Sequence, residues 1–130
     1  GGTDVYGLMG AGGWVASAPA IARLVASIDG DNRVPDILTA RSIAKMTEYD
    51  EESAVCRGWS HIEKDGSWLR TGTPYSAHSF VKHFRDGECW VIVTNAGVWI
   101  GHGFVRQFVQ LVDMLRADYG AVMPKQNLWE

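Results

Sequence analysis

The chain has 130 residues, 46% of them hydrophobic and 21% charged, with a net charge of -3, the make-up of one globular domain around one core. Its 12 Lys and Arg are scattered rather than gathered in a stripe, which argues against nucleic acid as a partner. No apolar run approaches the ~20 residues of a membrane span, residues 1–13 lack the basic-then-apolar order of a signal peptide, and Cys56 and Cys89 fit neither a disulfide scaffold nor a zinc-ligand spacing.

Ala11-Gly12-Gly13-Trp14 reads as a tight loop. A helix follows, with Ser17 as N-cap, Pro19 in the first turn and Ile21, Leu24, Val25 and Ile28 turned inward, until Asp29-Gly30 stops it. Thr39 caps a second, shorter helix that carries Ile43 and Met46 inward, and the acidic residues 48–52 read as a solvated loop. Strand character then runs over residues 55–62 and 67–71, with Lys64-Asp65-Gly66 as the turn between them. A further strand spans residues 77–84, and Asp86-Gly87 predicts a hairpin turn, because both central positions tolerate positive φ. The returning segment, residues 89–94, is almost continuously apolar, which predicts a strand covered on both faces and paired on both edges. Phe104, Phe108, Leu111 and Leu115 mark a long amphipathic helix over residues 100–119, with Gly120 as its stop. Six tryptophans are many for this length, and several are expected to line a groove or a covered surface.

This ordered set resembles the C-terminal part of the serine β-lactamase-like family, which includes class C β-lactamases, D-alanyl-D-alanine carboxypeptidases and related esterases. The resemblance runs over residues 10–115. Gly10-Ala11-Gly12-Gly13-Trp14-Val15-Ala16-Ser17 followed by Ile21-Ala22-Arg23-Leu24 is similar to the family's Gly-rich loop and following helix. Residues 37–46 resemble its next helix, Gly58-Trp59 its strand before the third motif, and residues 80–95 its closing hairpin. The fold implied is α+β, an antiparallel sheet of about four strands with packed helices, formed by a single domain over residues 1–130.

The family's third active-site motif, Lys-Thr-Gly or His-Thr-Gly, falls on Arg70-Thr71-Gly72. In the role that the resemblance implies, a cation at the first position attracts a substrate carboxylate, and the hydroxyl at the second bonds the same group. Glycine at the third leaves space for the acyl group, and the backbone N–H of Thr73 supplies half of an oxyanion hole. Arg70 departs from the family pattern: arginine does not shuttle a proton at neutral pH, so its role is confined to charge and hydrogen bonding. The function implied is that of the C-terminal part of a serine hydrolase acting on an ester, peptide or β-lactam carbonyl, with the nucleophile elsewhere. The alternative is a non-catalytic binding module that keeps the fold without the chemistry. No cofactor and no metal are expected, and a periplasmic or secreted location is what the family alone implies.

The family's nucleophile sits in Ser-x-x-Lys at a helix start. Ser42-Ile43-Ala44-Lys45 and Ser79-Phe80-Val81-Lys82 both match that pattern by chance. The first lies in a structural helix, and the second lies in a strand that sends serine and lysine to opposite faces. The family's Tyr-x-Asn is absent. His61, His78, His83 and His102 show no metal-site spacing and read as surface or hydrogen-bonded imidazoles. A Cys56–Cys89 disulfide is not expected, because two other strands should separate the two cysteines. If residues 1–9 do not pair with residues 89–94, that edge should attract a second copy of the chain.

Overall fold

The computed structural model describes residues 5–51, 55–73, 77–96 and 102–123. The chain divides into two compact units, residues 1–97 and residues 98–130, and each is described by itself.

In the first unit the chain runs through a short helix α1 (Val5–Leu8), a single 3-10 turn (Met9–Ala11), helix α2 (Ala18–Ala26) and helix α3 (Ala40–Thr47). Six strands follow: β1 (Tyr49–Asp50), β2 (Val55–Cys56), β3 (His61–Ile62), β4 (Trp68–Gly72), β5 (His78–His83) and β6 (Cys89–Thr94). The main sheet is a four-stranded antiparallel meander in the order β3-β4-β5-β6, while β1 and β2 pair separately. Helices and antiparallel sheet together make the unit α+β, as its sequence implies.

Both helix starts follow from their caps. Ser17 Oγ accepts the Ala20 N–H at 3.3 Å, with Pro19 in the first turn, and Thr39 Oγ1 accepts the Ser42 N–H at 3.2 Å. Each cap satisfies an amide that the helix itself leaves open, an effect of about 1 kcal/mol. Helix α2 buries Val25 and half-buries Ile21, but Leu24, expected inward, is 53% exposed. Helix α3 buries Ile43 and half-buries Met46.

Alternation along the strands divides the sheet residues between two faces. One face carries Ile62, Trp68, Arg70, Gly72, Ser79, Val81, His83, Cys89, Val91 and Val93, as the register pairs Trp68 with His83, Arg70 with Val81 and Gly72 with Ser79. Helix α2 packs here, and the core is Val25, Cys56, Trp59 and Val81, with Ile21, Met46, Ile62, Trp68, Cys89 and Val91 around them. Trp59 and Trp68 rings meet at 5.2 Å, tilted by 53°. The opposite face carries Leu69, Thr71, His78, Phe80, Lys82, Trp90, Ile92 and Thr94.

The two hairpins share one solution. In each, a Lys or Arg precedes Asp-Gly, the Gly N–H returns to a carbonyl three residues back, and the Asp carboxylate accepts the amide two residues on. Gly66 and Gly87 sit at φ 87° and 84°, a region in which a Cβ is costly. The expectation that Asp86 and Gly87 are the two central positions of a tight hairpin is corrected: the Phe84 N–H donates to the Glu88 carbonyl around a three-residue loop, Arg85-Asp86-Gly87, in which Gly87 alone takes the positive φ that both residue types tolerate.

Four other expectations are corrected. The strand expected over residues 55–62 is broken, because Arg57-Gly58-Trp59-Ser60 turns Trp59 into the core and splits it into β2 and β3. The acidic loop contains β1, paired with β2 through Tyr49 and Cys56. Strand β6 is half-buried rather than covered on both faces, and among the described residues no strand pairs with its outer edge; of the segment expected there, residues 5–9 are helical and residues 1–4 lie outside the described residues. Cys56 and Cys89 are both free, yet the strands between them are not the reason: Cys56 lies outside the main sheet, and both thiols border one core.

The second unit is helix α4 (His102–Tyr119), where Phe104 and Phe108, one turn apart, meet edge to face at 4.6 Å. The Gly120 N–H returns to the Arg116 carbonyl at 3.0 Å as the helix ends. No described helix is long and apolar enough to cross a membrane. Trp99 and Trp129 lie outside the described residues; of the others, Trp14 is 85% exposed, while Trp59 is buried.

Candidate functional site

Arg70, Thr71 and Gly72 are the last three residues of β4, and Thr73 follows directly. Arg70 is exposed on the face that carries α2, whereas Thr71, paired with Phe80, belongs to the opposite face. The tripeptide thus presents its cation and its hydroxyl to different sides of the sheet.

The backbone at this end is directed by Ser60. Its N–H donates to the Leu69 carbonyl at 2.8 Å, and its Oγ accepts the Thr71 N–H at 3.3 Å. Residues 69 and 71 therefore address the β3 side of β4, and Thr73, the next residue of the same alternation, follows directly after the strand's last residue. Thr73 is exposed. Among the described residues, no ion pair or hydrogen bond engages the Arg70 guanidinium or the Thr73 amide.

Gly72 lies under a close approach from the neighbouring strand. A methyl group there would lie 2.5 Å from Ser79 Oγ, so the room left by the missing side chain is taken by the hydroxyl across the strand pair. Ser79 is half-buried, and its hydroxyl has no hydrogen-bond partner among the described residues.

Neither Ser-x-x-Lys match is built as a nucleophile. Ser42 Oγ is 3.0 Å from Thr39 Oγ1 in the cap of α3, and Lys45 is exposed in the last turn. Ser79 and Lys82 lie on opposite faces, and the buried Lys82 Nζ is 2.8 Å from Glu63 Oε2 and 4.8 Å from the Phe84 ring centre.

The other end of the β4–β5 pair holds a polar group that sequence reasoning missed. His83 Nε2 lies 3.2 Å from Asp29 Oδ2, both side chains under a tenth exposed, and the imidazole stacks on Trp68 at 4.8 Å. Asp29 Oδ1 accepts the Asp31 N–H at 2.8 Å. Arg33 then clips the loop down by its ion pair to Asp31 and a 3.3 Å bond to the Asp86 carbonyl, which holds Asp31 below the usual carboxylate range. The Arg33 guanidinium lies against Gly87, whose positive φ already disfavours a side chain there. Nothing in the sequence joins Asp29 to His83, since 54 residues separate them.

Cys89 is the cross-strand partner of His83, so a thiol lies beside the His83–Asp29 pair. The arrangement is not an activated nucleophile. Burial, assisted by the charge of Asp29, pushes the Cys89 thiol up to about 12, whereas a reactive cysteine is lowered. His61 is exposed and His78 buried, and among the described residues no three His, Cys, Asp or Glu side chains gather as a metal site.

No protein-family model matches this chain, and neither a curated protein nor a solved structure matches it significantly.

Proposed function

We propose that this chain is the C-terminal part of a β-lactamase-like serine hydrolase, in which β4 is one wall of a site for acyl transfer from an ester, peptide or β-lactam carbonyl. The observation that carries the reading is the end of β4: an exposed Arg70 with no partner among the described residues and, three residues on, the exposed Thr73, whose N–H strand alternation assigns to the edge that β3 leaves. A cation beside an open strand edge suits an anionic substrate that lies along the strand, its carbonyl oxygen taking the Thr73 N–H as that oxygen becomes negative. Pro74 has no N–H to offer, so the donor falls to Thr73. The serine nucleophile belongs to another segment of the complete enzyme, and this chain by itself is inactive.

A second reading, a binding module without chemistry, is favoured by one residue. Arg70 stands where lysine or histidine would relay a proton, and a guanidinium does not relay one. A fluorescent penicillin separates the two. The gene product that includes the segment upstream of Gly1 should label covalently at a serine of that segment, while this chain alone should stay unlabelled. Labelling at Ser42 would overturn the assignment, and a full-length protein without Ser-x-x-Lys and Tyr-x-Asn would leave the binding module.

The same reading assigns a role to β6. In the complete protein a further strand is proposed to cover its outer edge, which carries the uncharged side chains Cys89, Trp90, Val91, Ile92, Val93 and Thr94. In the isolated chain a second copy takes that place. Light scattering should give a dimer or larger, and a clean monomer would refute the pairing.

A further inference from the structure

We infer that Ser79 is a substrate-binding residue of this site, its hydroxyl sharing a substrate carboxylate with Arg70. The inference rests on the reading of β4 as the wall of an anion-accepting site and goes further, because the Arg-Thr-Gly pattern itself contains no mention of β5.

Three observations converge. Thr71 offers a hydroxyl, but its place opposite Phe80 puts it on the far side of the sheet from Arg70. Ser79 lies on Arg70's side, diagonal to it across the β4–β5 pair, within reach of one small anion contacted by a long guanidinium side chain. Its Oγ occupies the space above Gly72, and the hydroxyl of this half-buried residue has no partner among the described residues. A hydroxyl kept partly from water without a partner is poised to gain one from a ligand, and a hydrogen bond to a carboxylate is of the stronger, charge-assisted kind. The glycine therefore does not leave a void for an acyl group on this face. It admits the neighbouring strand's hydroxyl, so the carboxylate meets a guanidinium from β4 and an O–H from β5.

The test is a titration of the isotopically labelled 130-residue chain with N-acetylglycine at constant ionic strength, followed by amide NMR shifts. Saturable shifts are expected at residues 70–73 and 79. Ser79→Ala should weaken binding roughly three- to tenfold with unchanged thermal unfolding, Thr71→Val should leave it as in the parent chain, and Arg70→Gln should abolish it. Arg70-dependent binding that Ser79→Ala does not weaken would overturn the role of Ser79 while leaving the reading of β4 intact. Absence of saturable shifts, shifts reproduced by chloride, or binding indifferent to Arg70→Gln would overturn that reading, and the role of Ser79 with it.

Discussion

At one end of the β4–β5 pair, Trp68 and His83 are packed face to face, and His83 is bound to a buried Asp29. At the other end of the same two strands, Arg70, Ser79 and Thr73 keep polar groups with no partner among the described residues. Sheet register, strand type and local chain direction are alike at the two ends. The difference is what lies above them: the loop after α2 reaches the His83 end and supplies a carboxylate, while nothing described answers the cation at the Arg70 end. Among the described residues, the His83 end thus has its Nε2 answered by a carboxylate, while the Arg70 end keeps its polar groups unanswered, which is the feature the proposed site uses.

The contrast is broken most strongly by Asp29→Ala, which leaves His83 Nε2 buried without its acceptor. A loss of about 3 kcal/mol in unfolding free energy is expected from urea titration; a loss below about 1 kcal/mol would place the anchor of the α2 loop elsewhere.

At near-neutral pH the effect of Cys89 is smaller than that of Asp29, and it grows only as the solution is made alkaline. Its folded-state value near 12 lies above the ordinary thiol value, so the unfolded chain releases the thiol proton first. This contribution to stability is complete below roughly pH 9 and is lost as pH rises toward 12, by about 1.4 kcal/mol per unit. Comparison of unfolding free energies across that window should show a shallower decline in Cys89→Ala, and equal slopes would mean that the thiol is not shielded.

The smallest effect is expected at the open end. Arg70→Gln should alter stability by less than about 0.5 kcal/mol, since no described partner is lost, and a larger drop in the same urea titration would show that this cation is already engaged.

Local chemistry was legible in the sequence. Ser17 with Pro19, Thr39, Asp65-Gly66 and Asp86-Gly87 each act within four residues, and each ends or begins an element near where its composition places it. Strand β6 keeps the bounds its apolar run predicts. What escaped depends on tertiary placement. An apolar strand reads the same at a sheet edge as in the middle, so the sequence left open whether the outer edge of β6 is paired, and among the described residues no strand pairs with it. The break at residues 57–60 is imposed by burial of Trp59, not by a Pro or a paired turn signal. At the candidate site, the sequence marks Arg70, Thr71, Gly72 and Thr73 as neighbours, but the opposed faces of Arg70 and Thr71 and the approach of Ser79 need the strand register.

The order of strands in the sheet has a kinetic consequence. Because β3, β4, β5 and β6 are neighbours in space in the order in which they occur in the chain, each joins the last through a short hairpin, and such contacts close within microseconds. The bond from Asp29 to His83 instead closes a loop of 54 residues, whose ends come together at an entropic cost of about 3.5 kcal/mol beyond a constant. The meander can therefore form first and receive α2 afterwards. The Asp29–His83 bond is then a late event in folding, one that governs chiefly how fast the finished domain comes apart.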